Sequence, residues 1–168
     1  MLNNIYCIDS CALIDLQKYY GQELAPSLWK KLDLLFTNNL IFSHEIVYHE
    51  LTTKAKIPSS LSKWITPKNA YFKKMTLYQA NCVSKIVKLF PNLIEPLAEK
   101  DQADPWLIAL VIEERENPTF FTTGKNIVIV TQESKQSDCK IPAVCRYYGI
   151  QQFDITEFFA DNDWKISI

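Results

Sequence analysis

The sequence predicts a single α/β domain with a central parallel sheet of about four or five strands and helices on both faces. Two observations predict it. Short apolar runs, Ile5-Tyr6-Cys7-Ile8 and Ile127-Val128-Ile129-Val130, have the length and composition of buried strands. They alternate along the chain with segments of helical periodicity, the pattern of a parallel sheet covered on both faces. The 168 residues, 48% hydrophobic and 22% charged, are ordinary globular composition and enough chain for one core.

Each element has its own signal. Residues 4–9 read as the first strand, and Ser10 is placed to cap a helix running to about Tyr20. Pro26 suits the first turn of a second helix, with Leu28, Leu32 and Leu35 on one face, and Asn38-Asn39 ends it. Leu40-Ile41-Phe42 reads as a strand, followed by a helix from about His44 to Ala55 capped by Ser43. Pro58 and Ser59-Ser60 interrupt, a short helix holds Trp64, Pro67 interrupts again, and a helix from about Tyr71 to Phe90 follows. Pro91 and Pro96 bracket a connector to Asp104-Pro105, where Asp before Pro marks a helix start. That helix runs to about Glu116, and Asn117-Pro118 stops it. Residues 127–131 form a strand, and Pro142 opens a short helix closed by Gly149. Ile150 to Phe153 is the last strand, and a terminal helix holds Phe158 and Phe159. No repeat or linker divides the chain, so one domain over residues 1–168 is expected.

Composition excludes several classes of function. Three glycines are too few for a P-loop or a dinucleotide fingerprint. Five cysteines without a Cys-x-x-Cys pair argue against zinc and disulfide chemistry. His44 and His49 resemble the zinc-protease spacing with one residue too many. Five apart, they lie roughly 140° apart around a helix and cannot share a metal, so both are expected at the surface or boundary. No Gly-x-Ser-x-Gly elbow occurs. The longest apolar run, Trp106 to Ile112, is too short for a bilayer, and Met-Leu-Asn-Asn does not open a secretory signal, so a cytoplasmic protein without membrane contact is expected.

Four carboxylates stand out. Asp9 ends the first strand run and Glu133 follows the 127–131 run. In parallel α/β sheets ligands bind at the carboxyl ends of the strands, so these two should face one crevice. Glu50 lies on the helical stripe of Ile46, Val47 and Leu51, where a charged carboxylate is costly unless paired or bound to a cation. A pairing with Lys54 at the helix boundary is the plainer alternative. Asp104 is an N-cap candidate, and it also shares a face with Ile108 and Val111. Asp101, one turn earlier, is a supporting acid. Four carboxylates converging on one spot would repel one another without a cation between them, and an oxygen-rich acidic site favours Mg²⁺ or Mn²⁺.

The segments that hold these acids are Tyr-Cys-Ile-Asp-Ser-Cys-Ala-Leu-Ile (6–14), Ser-His-Glu-Ile-Val-Tyr-His-Glu-Leu (43–51), Ala-Asp-Pro-Trp-Leu-Ile-Ala-Leu (103–110) and Ile-Val-Thr-Gln-Glu-Ser (129–134). In this order they resemble the PIN-domain ribonucleases, most closely a PIN-like group of small prokaryotic proteins. The resemblance implies metal-dependent RNA cleavage with Asp9, Glu50, Asp104 and Glu133 as catalytic metal ligands, supported by Ser10 and Thr131. The family's fourth acid is usually an aspartate. Here Thr131-Gln132-Glu133 supplies a glutamate, with Asp138 as the substitute nearby. The resemblance further implies a toxin inhibited by an antitoxin protein, and a homodimer.

Net charge of −1 conceals an asymmetry. Between Glu50 and Glu95 no acid occurs while eight lysines do, and seven acids then crowd Glu95 to Glu116. Lys54, Lys56, Lys63, Lys68, Lys73 and Lys74, interleaved with Trp64, Tyr71, Phe72 and Tyr78, form a candidate RNA surface of phosphate contacts and stacking rings. A solvated helical face with core aromatics is the plainer reading. Two other functions remain open: a non-catalytic RNA- or protein-binding module on the same fold, and a metal-dependent phosphatase, against which the missing Asp-x-Asp after the first strand argues.

Overall fold

Five strands form one parallel sheet in the order β3-β2-β1-β4-β5: β1 (Asn4–Ile8), β2 (Ile41–His44), β3 (Phe72–Lys73), β4 (Asn126–Val130) and β5 (Gln151–Phe153). The computed structural model describes residues 3–95, 97 and 102–165. Among them the helices are α1 (Ser10–Tyr19), α2 (Pro26–Thr37), α3 (Glu45–Thr53), α4 (Ser59–Ile65), α5 (Leu77–Leu89), α6 (Ala103–Glu116), α7 (Ile141–Tyr148) and α8 (Ile155–Asp161). The α/β class with a parallel sheet is as the sequence predicts. None of the helices described is long and apolar enough to cross a membrane.

Successive residues of a strand point to opposite faces. In β1 and β4 four consecutive residues are buried, so both faces of the sheet are covered. This is why both strands are unbroken apolar runs. The chain leaves β1 toward β2 on one side, while β4 pairs with β1 on the other. The switch point of the strand order lies between β1 and β4, and it is at the carboxyl ends of such strands that sheets of this kind bind ligands. The most buried helix, α6, packs against β2, β4, α3, α5 and α7.

Local departures have local causes. Asp9, not Ser10, caps α1: its carboxylate accepts the Ser10 N–H at 2.7 Å, which frees the Ser10 hydroxyl for another partner. α3 is capped by His44 rather than Ser43. His44 Nδ1 accepts the Ile46 N–H, and Ser43 Oγ donates to the Ile8 carbonyl. The expectation of a surface histidine therefore fails at His44, which is 0% exposed, and holds at His49. The expected helix from Tyr71 begins only at Leu77, where Thr76 caps it. Before it come a 3-10 stretch (Thr66–Tyr71) and β3, whose pairing with β2 overrides the helical pattern. Asn39 takes the left-handed conformation that ends α2, and Gly149 does so beyond α7.

Candidate functional site

Asp9 is fixed first by the sheet. Its N–H donates to the Val130 carbonyl at 2.9 Å, which sets it beside Thr131 at the ends of the two central strands. The side chain is only 3% exposed. Its Oδ2 accepts from the Cys11 thiol at 2.8 Å and from the Thr131 hydroxyl at 3.1 Å, while Oδ1 takes the Ser10 N–H. Burial pushes the Asp9 carboxyl up to about 6; the Glu133 charge adds to this, and hydrogen bonds from Cys11, Thr131 and Ser10 oppose it.

Glu50 reaches the same region from the last turns of α3. The Ser10 hydroxyl donates to Glu50 Oε2 at 2.8 Å, so Ser10 links Asp9 to Glu50. The other oxygen lies 3.7 Å from the Lys54 ammonium, the pairing that helix spacing allows. Glu133 follows β4. Its N–H donates to Thr131 Oγ1, and its Oε2 accepts the Ile141 N–H at 2.8 Å. That contact places its charge at the positive end of α7.

Asp104 is the second residue of α6, and the N-cap position belongs to Gln102, which makes no side-chain cap. The expectation that Asp104 caps this helix, with Pro105 as its first residue, is corrected accordingly: the helix starts two residues earlier, at Ala103. No hydrogen bond reaches the Asp104 carboxylate among the described residues. Burial pushes it up to about 8, and the charges of Asp9, Glu133 and Glu50 add to the rise, with Lys140 opposing. One carboxylate thus feels the other three. Even so, among the described residues no three His, Cys, Asp or Glu side chains stand together as a ready-made metal-holding group. Glu133 instead engages the Ile141 N–H, and Glu50 engages Ser10 and Lys54.

Of the supporting residues, Ser10 hydrogen-bonds the Asp9 and Glu50 carboxylates and Thr131 that of Asp9, and Asp101 lies outside the described residues. Two participants carried no signal in the sequence. Cys11, besides donating to Asp9, accepts the Gln132 N–H and meets Thr131 Oγ1 at 3.3 Å. Lys140, just before α7, supplies the opposing charge near Asp104.

The lysine surface divides. Lys54, Lys56, Lys63 and Lys74 are exposed, and Lys73 is half-buried. Trp64 and Lys68 are drawn inward, contrary to an RNA-stacking role. Trp64 packs edge-on against Trp29 and Phe36 and donates to Asp33, while Lys68 pairs with Asp33 at 2.8 Å and lies over the Trp64 ring. Tyr71 and Phe72 join the same aromatic cluster.

A family model described as a domain of unknown function (DUF4411) matches residues 6–166. The chain belongs to that family. Comparison with curated proteins gives no match. All four acids, Ser10, Cys11 and Thr131 fall within the DUF4411 match, as do all five strands except the first two residues of β1.

Proposed function

We propose that this DUF4411 protein is a PIN-like, divalent-metal-dependent ribonuclease that cleaves RNA phosphodiester bonds. The observation that carries the reading is the pressure on Asp104. A carboxyl pushed up to about 8 by burial and three other carboxylates is the electrostatic signature of a site suited to a cation. The donor set is all carboxylate oxygen, which fits Mg²⁺ or Mn²⁺ better than zinc. Such an ion supplies charge neutralisation at the phosphodiester and a water of lowered pKa.

The residues divide the work. Asp9 and Asp104 hold the principal ion, with Glu50 contacting it directly or through water. Glu133 orients the attacking water or a second ion from the N-terminus of α7. Thr131, Cys11 and Ser10 fix Asp9, and Ser10 also fixes Glu50, so two ligands share one support. Lys54, Lys56, Lys63 and Lys74 meet the RNA backbone. A cytoplasmic setting suits five free thiols. A toxin role, with an antitoxin protein covering the acidic crevice, and a homodimer complete the reading.

The test is Mn²⁺-dependent thermal stabilisation. At a hundredfold excess over Kd, Mn²⁺ is expected to raise the Tm by about 5–10 °C. Asp9→Asn and Asp104→Asn remove that shift together with RNA cleavage, and Glu50→Gln weakens both. No shift in the parent, with no cleavage at any divalent concentration, rejects the nuclease. The competing reading, a non-catalytic RNA- or protein-binding module, draws on the engagement of Glu133 with Ile141. It predicts RNA or partner binding that Glu133→Gln leaves unchanged.

A further inference from the structure

A cavity of about 470 Å³ opens where the end of α1, the start of α2 and the segment after α8 meet. Asp9 and Ser10 sit at the other end of α1. Nine residue steps of helix separate Ser10 from Tyr19, roughly 14 Å at 1.5 Å per residue, so this is a second place on the molecule. Its size falls within the range of about 300–1,000 Å³ that small-molecule sites occupy.

The walls combine two chemistries. Tyr19, Tyr20, Leu24 and Trp164 supply apolar and aromatic surface, and Lys31 and Lys165 supply positive charge. No carboxylate is among the lining residues. Neither lysine forms an ion pair among the described residues. Lys31 stands 5.8 Å from the Trp164 ring centroid.

The aromatic wall is held from behind. Trp164 packs against Phe158 and Phe159, Tyr20 meets Phe159 edge-on, and the Trp29 indole N–H donates to the Tyr20 carbonyl at 2.7 Å. The mouth is unsatisfied by comparison: Tyr19 is 56% and Leu24 is 76% exposed. The first turn of α2 lines the cavity and has no side-chain cap, so the positive end of its dipole lies at this wall. A ligand complementary to these walls has a flat apolar ring and a negative charge.

We propose that this cavity binds a nucleotide, its base against Trp164 and Tyr19 and its phosphate between Lys31 and Lys165. A flat base suits the aromatic wall, because stacking is tolerant of base identity. A phosphate suits two lysines in a lining that holds no carboxylate. The nucleotide is either free or one unit of an RNA strand, and the same contacts serve both.

Calorimetric titration in EDTA tests this independently of any metal, with adenosine monophosphate, adenosine, inorganic phosphate and a five-residue oligoadenylate as probes. Adenosine monophosphate should bind more tightly than adenosine or phosphate alone, and more weakly as salt rises. Trp164→Leu should weaken it about tenfold, with Lys31→Ala and Lys165→Ala each weakening it severalfold. Tyr19→Ala keeps the test valid should Trp164→Leu fail to fold, since Tyr19 is exposed and outside the core. A pentamer binding more tightly than the monomer through the same residues assigns the site to RNA; equal binding assigns it to the free nucleotide. The proposal is overturned by three results: no binding at millimolar nucleotide, binding unchanged in Tyr19→Ala and Lys31→Ala, or a change in oligomeric state instead of nucleotide affinity in those variants.

Discussion

Cys11 gives its thiol proton to Asp9 and receives the Gln132 N–H, and burial holds the thiol well above its ordinary pKa, so it stays a donor. Groups that orient a metal ligand are worth about tenfold or more in metal affinity. On the proposed metal site, Cys11→Ala is therefore expected to weaken Mn²⁺ binding by about tenfold, read from a Mn²⁺ titration of Tm, while Cys11→Ser, which keeps a donor, restores most of it. Equal affinity in both variants would leave the thiol as packing only. Asp9 was legible in the sequence because a charge ending an apolar run has few explanations. Cys11 was not, because two residues along a helix says nothing about which side chain bends back to the carboxylate.

At the scale of elements, α3, α5 and α6 are joined by a polar chain rather than by apolar packing alone. His44 Nδ1 accepts the Ile46 N–H, so Nε2 carries the proton and donates to Gln79 Oε1; Gln79 Nε2 in turn donates to Glu113 at 2.6 Å. Thr76, the cap of α5, donates to the other Glu113 oxygen. Burial lowers the His44 pKa, which keeps the ring neutral and the Ile46 bond intact. Gln79→Leu would strand the buried His44 Nε2–H and take one of two donors from the half-buried Glu113, and is expected to cost about 1–3 kcal/mol, measured by urea unfolding. The helices with strong stops, α2, α6 and α7, were legible because Pro, Asn and Gly punctuate them. β3 was not: two residues carry no periodicity, and only the neighbouring β2 makes them a strand. His44 was misplaced at the surface because its burial depends on Gln79, 35 residues away.

For the molecule as a whole, the acidic crevice sets a pH dependence. Asp9 at about 6 and Asp104 at about 8 both bind protons more tightly folded than unfolded. The stability they contribute is complete below about pH 4, the ordinary aspartate range, and is lost as pH rises through 6 and then 8. In EDTA the Tm should fall from pH 5 to pH 9, and Asp104→Asn should flatten the upper part of that fall. A Tm that rises over this range would show that the two carboxyls are not under this pressure. The topology that creates the crevice was half legible. Alternating strands and helices announced a parallel sheet, but strand order is a long-range property that no local window contains.

That order has a consequence in time. β1 is made early, yet its partner across the crevice is β4, and the Thr131 that steadies Asp9 lies 122 residues downstream. Contacts so distant in sequence form late and slowly. During synthesis Asp9 emerges long before the strand that shapes its surroundings, so a half-made chain holds the first acid without its setting. Any activity of these acids is deferred until synthesis has passed Thr131 and β4 has paired with β1.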